Sequence, residues 1–356
     1  MSAATRAATA VLALEDGSTF CGHSHAAEGE WVGEVVFVTS MTGYQETITD
    51  PSYWGQMLVF TCPHIGNVGV NEQDDESTQP HVRAVIARRL THHSSNWRAR
   101  RELVDVLREA GVPAIDGVDT RRLTLKLRQS GVMRGALSTI DLDPQRLVDL
   151  ARGAPEMETL TPVELVTCCE AQPWREAAHE GWLGAVQGDL RPTAARPHIV
   201  VIDCGAKHNI LRLLTQLGAR VTPVPSNTSA EAIRALLPDG VLISNGPGDP
   251  ASAKATIETV RALMGQVPLY GICLGHQIIC LAAGARTYRL PFGHHGSNHP
   301  VQALGSGRVA ITSQNHNYAV SAESLQGLPY KITHVNLFDG TVEGIRHRSL
   351  PIESVQ

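Results

Sequence analysis

The stretch YGICLGHQIICLAAG, residues 270–284, decides the fold of the second half of this sequence. It joins a short apolar run to a helical apolar run, and Cys273 lies between two glycines at the junction. Gly271-Ile-Cys-Leu-Gly275 fits the pattern G-x-(S or C)-x-G of a sharp strand-to-helix turn, where larger flanking side chains would collide. The pattern predicts that this turn exposes the Cys273 sulfur.

Cys273 has two possible roles. A helix that begins near Leu274 would aim its free N–H groups and the positive end of its dipole at the sulfur, which favours the reactive thiolate. Alternatively, Cys273 is an inert buried cysteine, because short motifs also match by accident. Cys280, which lies among apolar residues inside the helix, is expected to belong to the core.

Apolar strands and helices alternate on either side of this turn. The spacing predicts an α/β domain with a doubly wound, mostly parallel sheet covered on both faces. A β-hairpin is predicted across Asp339-Gly340. The predicted strands are residues 198–203, 220–224, 240–244 and 268–272, and the predicted helices are residues 207–217, 230–237 and 253–264, followed by the helix that ends at Gly284.

A second turn, SNGPGDP at residues 244–250, directly follows an apolar strand. Its glycines and prolines predict a rigid turn with exposed backbone N–H groups, suited to an oxyanion or a substrate backbone. On its own, such a segment is more often an ordinary loop. Because both turns lie at the carboxyl ends of parallel strands, where ligands bind in open α/β sheets, together they indicate acyl chemistry.

The first half of the chain is irregular and rich in short strands, which predicts a distinct β-rich α+β domain. Its best helix is predicted from about Trp97 to Ala110. We expect two domains, residues 1–196 and 197–356, with a linker at about residues 153–196 that includes the segment GDLRPTAARPH.

Composition excludes several classes of protein. The 356 residues carry a net charge of −5, which gives no basic field for nucleic acid, and no apolar run is long enough to span a membrane. Seven cysteines without paired spacing favour the reducing cytoplasm. His294, His295, His299 and His316 form a loose cluster, but without a carboxylate or a regular spacing they do not favour a metal site.

Several segments follow one another in the order found in a known family. In the second half these are DCGAKHNILRLL, SNGPGDP, YGICLGHQ, FGHHGSNHPV and SQNHNYAV, and in the first half VTSMTGYQETITDPSY, CPHIGNVGVN and GVDTRRLTLKLRQSG. The chain resembles the small, glutamine-hydrolysing subunit of carbamoyl-phosphate synthase, with a class I glutamine amidotransferase domain at its C-terminal end.

This resemblance implies that Cys273 attacks the side-chain amide of L-glutamine and forms a thioester. It implies that the backbone N–H groups of Gly246 and Leu274 face the oxyanion. The position of Asn317 is commonly glycine in the family, and we expect asparagine to be tolerated because it adopts left-handed backbone conformations. The glutamine pocket implied by the resemblance comprises Ser40 of the first domain together with Gly246, Gly248, Leu274, Gln277, Asn315, Asn317 and Tyr318.

The resemblance also implies a partner. Ammonia would pass to a large subunit that uses ATP, magnesium and bicarbonate to make carbamoyl phosphate for arginine and pyrimidine synthesis, so the two chains would form a heterodimer. Because no Walker loop is present in this chain, we expect it to carry no cofactor and the ATP chemistry to lie on the large subunit.

One departure from the family leaves alternatives open. The family's general base and its orienting carboxylate come from a His-Pro-Glu segment directly after SVQ, and this sequence stops at Gln356. We expect a truncated domain with glutaminase activity lower by orders of magnitude than that of a chain carrying the segment. The alternatives are a glutamine-binding scaffold subunit with an inactive site, and a cysteine hydrolase acting on another acyl substrate.

Overall fold

The computed structural model describes residues 9–178 and 196–356. The chain divides into two compact units, Met1–Thr159 and Leu160–Gln356. Among the described residues, no helix combines the length and the apolar character that crossing a membrane requires.

The first unit contains a closed barrel in which the strands lie in the order β1-β2-β8-β6-β4-β3-β9, and β5 pairs with β7 beside it. Val36, Leu58 and Val85 lie on neighbouring barrel strands and belong to one fully buried cluster. Each such side chain contributes about 1.5–3 kcal/mol by burial. The strands are β1 (Ala10–Leu14), β2 (Thr19–Ser24), β3 (Glu30–Val38), β4 (Gln56–Phe60), β5 (His64–Ile65), β6 (Ala84–Ile86), β7 (Arg89–Leu90), β8 (Ala114–Asp116) and β9 (Met133–Ser138).

Helices of the first unit connect these strands. The helix predicted from Trp97 begins later, at Leu103, because the preceding residues are held in turns: Arg98 pairs with Asp74 at 2.6 Å, and Arg101 bridges to Val70. The β-rich character of this unit was therefore predicted correctly, and the start of this helix was wrong. The helices are α1 (Tyr44–Thr49), α2 (Leu103–Glu109), α3 (Thr120–Ser130) and α4 (Pro144–Gly153).

In the described part of the second unit, nine strands form one sheet in the order β11-β10-β12-β13-β18-β17-β15-β14-β16. The first five strands in this order are parallel, and the remaining pairings are antiparallel. The strands are β10 (His198–Asp203), β11 (Arg220–Pro225), β12 (Gly240–Ile243), β13 (Leu269–Ile272), β14 (Thr287–Ala303), β15 (Val309–Val320), β16 (Tyr330–Asn336), β17 (Val342–His347) and β18 (Ile352–Val355).

The parallel strands and their helices confirm the predicted α/β architecture, with bounds within two residues of the predicted ones. Alternate residues of β10 enter different clusters: Ile202 packs with Ile278 of the helix after Cys273, and Val201 packs with Leu211 on the other face. An open apolar groove of about 600 Å³ lies along this other face. The helices are α5 (Val163–Val166), α6 (His208–Gln216), α7 (Ala230–Ala235), α8 (Lys254–Leu263) and α9 (Leu274–Ala282).

The predicted hairpin across Asp339-Gly340 is also confirmed, since β16 and β17 pair antiparallel on either side of it. Gly340 has a φ of 76°, a left-handed conformation that glycine adopts without steric cost.

The division between the units differs from the predicted one. Thr167 Oγ1 donates to the carbonyl oxygen of Asp203 at 2.6 Å, and Trp174 N donates to that of Val221 at 2.9 Å. Residues 160–178 therefore pack on the second unit, although the sequence analysis counted them with the first. Most of the predicted connecting segment, residues 188–198, lies outside the described residues. Composition predicted a linker at about residues 153–196 but could not indicate that residues 160–178 pack on the second sheet.

Candidate functional site

The turn that carries Cys273 joins β13 to α9. Cys273 has φ 55° and ψ −108°, and it is one of three non-glycine residues with positive φ among the described residues. Such strain persists where the surrounding structure enforces it, and it is concentrated at functional sites. A Cβ atom on Gly271 would lie 2.5 Å from Gly275 O, and one on Gly275 would lie 2.1 Å from Ile243 O. The predicted steric reason for both glycines is therefore present.

Cys273 is half-buried, and its Sγ atom lies 3.6 Å from the carbonyl oxygen of Asn315. Cys280, further along the same helix, is fully buried, and burial raises the pKa of its thiol. Cys280 therefore belongs to the core, as the sequence predicted, whereas Cys273, for which the sequence left both roles open, lies at the carboxyl edge of the sheet at the start of a helix.

The SNGPGDP turn lies next to this helix start. A Cβ atom on Gly246 would lie 2.1 Å from Cys204 O and 2.8 Å from Leu274 Cδ2, so Gly246 packs directly against the residue after Cys273. Ser244 Oγ accepts from Cys204 N at 2.9 Å, and Asn245 Nδ2 donates to Gly205 O at 2.9 Å. These bonds tie the turn after β12 to the turn after β10.

Gly248 lies in the same turn with a φ of 87°. A Cβ atom there would lie 2.5 Å from Pro162 Cγ, so the backbone of this turn approaches residues just before α5. Pro162 is 86 residues earlier in the chain, and the sequence analysis had no signal for this contact.

The predicted pocket residues of β15 lie on its two faces. Asn315 and Asn317 are half-buried on one face, and Tyr318 is buried on the other. Gln277 of α9 is 2% exposed, and its Nε2 donates to Tyr318 O at 2.7 Å and to Gln356 Oε1 at 2.8 Å. The side chain of Gln277 therefore fixes the position of β15 relative to α9.

His295 of β14 is a site residue that the sequence analysis did not predict. Its Nδ1 lies 3.0 Å from Asn315 Oδ1, and its Nε2 lies 3.0 Å from Asn317 Oδ1. Burial lowers the pKa of His295 to about 4, so the ring is neutral near pH 7. A neutral ring donates from one nitrogen and accepts at the other, so one of the two asparagines turns its NH₂ group to the ring.

Ser40, the remaining predicted pocket residue, lies in the first unit. It is half-buried and follows β3 before the start of α1. The other predicted residues all lie in the second unit, where the contacts above join Cys273 to Asn315, Gly246 to Leu274, and Gln277 to Tyr318.

Comparison with known proteins defines the class of this fold and site. Residues 200–356 match the model of the class I glutamine amidotransferases. The second unit is therefore a class I glutamine amidotransferase domain. Residues 12–137 match the model of the carbamoyl-phosphate synthase small chain, CPSase domain.

Relatives match over nearly the whole chain. The carbamoyl phosphate synthase small chain of Aquifex aeolicus is 47% identical over 98% of this chain and 92% of its own length. That of Thermosynechococcus vestitus is 48% identical over 98% of this chain and 90% of its own length. A solved structure of a glutamine amidotransferase from Thermotoga maritima aligns with a TM-score of 0.36 and 12% identity over 45% of this chain and 75% of its own length. The chain belongs to the carbamoyl-phosphate synthase small chain family.

Proposed function

We propose that this chain is the glutamine-hydrolysing subunit of a carbamoyl-phosphate synthase, with Cys273 as its nucleophile. The single observation that carries this assignment is the backbone of Cys273, which is held at φ 55° at the N-terminus of α9. A cysteine in a strained turn at a helix start is arranged for reaction, because the N–H groups of the first helical turn favour its thiolate.

The reaction forms and breaks one covalent bond to the enzyme. The thiolate adds to the amide carbon of glutamine, the C–N bond breaks and ammonia leaves, and water then cleaves the thioester to release glutamate and the free thiol. A general base takes the thiol proton and returns it to the leaving nitrogen. The histidine that the family resemblance places after Gln356 is the expected base.

The turn around Gly246 has the second role. Gly246 packs against Leu274, and we assign the backbone N–H groups of these two residues to the negative oxygen that forms during thiolate attack. Fixed donors of this kind stabilise the transition state at little reorganisation cost, and losing one lowers the rate by about 100–1,000-fold.

We assign glutamine binding to the residues around this centre. Asn315 and Asn317 present amide groups fixed by His295, and Gln277 fixes the backbone beside them. Gly248 and Tyr318 are assigned to the same pocket through their backbone, and Ser40 keeps the glutamine-binding role that the family resemblance implies for it.

The proposal includes a partner and a compartment. Ammonia passes to a large subunit, which uses ATP with magnesium and bicarbonate to make carbamoyl phosphate for arginine and pyrimidine synthesis. The seven cysteines of this chain all carry free thiols, which agrees with a reducing, cytoplasmic location.

The test uses this chain, extended by the His-Pro-Glu segment that the family resemblance places after Gln356, in complex with its large subunit. Carbamoyl phosphate is measured with glutamine or with ammonium chloride as the nitrogen source. Cys273→Ser is expected to lower glutamine-dependent synthesis by about 1,000-fold or more while ammonia-dependent synthesis persists, because the variant keeps the partner and loses the nucleophile. A wild-type complex that binds glutamine but uses only ammonia would contradict the proposal and support an inactive scaffold subunit.

A further inference from the structure

The antiparallel part of the second sheet contains a buried group of metal-ligating side chains outside the proposed glutamine pocket. His294 of β14 and His316 of β15 are cross-strand partners, and Glu343 of β17 lies against them. All three residues are buried, and one ligand atom from each lies within 4.8 Å of the others.

Each histidine has an acceptor that fixes which of its nitrogens carries the proton. His294 Nε2 lies 2.9 Å from Asp339 Oδ2, and His316 Nδ1 lies 2.7 Å from the carbonyl oxygen of Tyr318. These contacts leave lone pairs on Nδ1 of His294 and on Nε2 of His316. Metal-binding histidines are oriented in this way, with the second ring nitrogen donating to a carboxylate or a backbone carbonyl.

The Nε2 atom of His316 is fully buried and has no hydrogen-bond partner among the described residues. Such an atom carries a desolvation cost that no hydrogen bond offsets. A proton shared between His294 and Glu343, whose Nδ1 and Oε1 atoms are 3.8 Å apart, would leave His316 Nε2 unsatisfied. A cation placed between the three side chains satisfies it.

Glu343 has the surroundings of a ligating carboxylate. Its Oε1 accepts from Asn336 Nδ2 at 2.9 Å, and its Oε2 accepts from Gln314 Nε2 at 3.2 Å. Asn336 Nδ2 also lies 3.5 Å from His294 Nδ1. Its ion-pair partner is the His294 ring rather than a lysine or an arginine.

We propose that His294 Nδ1, His316 Nε2 and Glu343 bind one divalent transition-metal ion of the zinc type. Two imidazoles and one carboxylate form a ligand set that suits zinc, with a fourth position for water. Bonds of about 2.0–2.2 Å require the three ligand atoms to close in by up to about 1 Å. The ion would cross-link β14, β15 and β17 and hold the strand that carries Asn315 and Asn317.

The histidines alone did not favour a metal site, because no carboxylate lies near them in the sequence. Glu343 comes from a strand 27 residues after His316 and Asp339 from the turn before it, so the ligand set appears only when the strands pair.

The test is a zinc titration of the full chain after its metal content has been removed with a chelator. We expect one equivalent to bind and to raise the melting temperature. His316→Gln and Glu343→Gln are expected to weaken binding by about 100-fold or more, and Asp339→Asn, which leaves the three ligands in place, by about 10–100-fold. His334→Gln on β16, outside this group, should bind as the wild type does, and circular dichroism verifies that each variant is folded.

Cobalt(II) distinguishes this site from adventitious binding by the seven cysteines. The cobalt-loaded chain should show d–d absorption without a thiolate-to-cobalt charge-transfer band. The proposal is overturned if the wild type binds no stoichiometric zinc, if folded His316→Gln, Glu343→Gln and Asp339→Asn all bind it unchanged, or if the cobalt spectrum shows cysteine ligation.

Discussion

The Sγ atom of Cys273 lies 3.6 Å from the carbonyl oxygen of Asn315. This contact joins the turn between β13 and α9 to β15, on which the proposed glutamine-binding amides lie. The proposed nucleophile and the proposed pocket are therefore placed by different parts of one sheet: Cys273 by its parallel strands and Asn315 by its antiparallel extension.

We predict that residues following Gln356 in a longer chain raise the activity. Val355 O accepts from Cys273 N at 2.9 Å, so the end of β18 lies beside Cys273. A chain extended by a His-Pro-Glu segment is expected to hydrolyse glutamine about 100–10,000-fold faster, because it adds a general base and a group that orients it. Glutamate release is measured for both chains, and equal rates would refute the assigned role of this segment.

We predict that Gly275→Ala destabilises the second unit. The added Cβ would lie 2.1 Å from Ile243 O, a backbone atom that cannot move without displacing β12. We expect a loss of about 1–3 kcal/mol or more in the free energy of unfolding. Gly305→Ala is the matched control, since a Cβ there meets nothing within 4 Å. Urea unfolding measures both variants, and equal midpoints would show that the turn is looser than the structure indicates.

His295 should act by positioning the two asparagines. His295→Leu removes the contacts with both Asn315 and Asn317. We expect KM for glutamine to rise by about 10-fold or more, which corresponds to a loss of roughly 1.4 kcal/mol in the free energy of binding. His295→Gln keeps one donor and one acceptor and should recover part of this loss. Steady-state kinetics separate KM from kcat, and a change in kcat alone would assign His295 a different role.

Acid stability should depend on His276. This residue is fully buried with Nδ1 2.8 Å from Ser354 Oγ, and burial lowers its pKa to about 3. In the unfolded chain, His276 binds a proton below about pH 6.5. In the folded chain, it stays neutral until the pH falls to about 3. The stabilisation is therefore complete above pH 6.5 and declines as the pH falls, by about 1.4 kcal/mol per pH unit for this one group.

The comparison variant for this prediction is His276→Gln, which cannot take up that proton. Its free energy of unfolding, measured in urea between about pH 7 and about pH 4, should fall less steeply than that of the wild type. If the two slopes agree, His276 is not the buried neutral group that the structure describes.

Local sterics made part of this site predictable from sequence. Gly271, Cys273 and Gly275 lie within five residues, and the collisions that require glycine occur inside one turn or with the neighbouring strand. The alternation of apolar strands and helices likewise predicted the parallel sheet, because strands buried on both faces need apolar residues throughout.

The register between strands β14 and β15 could not be predicted from the sequence. Next to the turn that joins β14 to β15, Gln302 pairs with Val309, and continuing that register would pair His295 with His316. Irregularities between Gly296 and His299 shift the pairing by one residue, so His295 faces Asn315 instead. A bulge leaves no clear signal in one sequence, and both His295 in the pocket and the proposed metal ligands therefore required the structure.

The central claim is that Cys273 reacts with glutamine, and covalent trapping tests it most directly. The chain is treated with a diazoketone analogue of glutamine, and the modified residue is located by peptide mass spectrometry. We predict one adduct, on Cys273, that excess glutamine suppresses and that Cys273→Ser abolishes, while the exposed thiols of Cys21 and Cys169 remain unmodified. The account would be contradicted if Cys21 and Cys169 were labelled, if glutamine did not suppress that labelling, and if Cys273 remained unmodified.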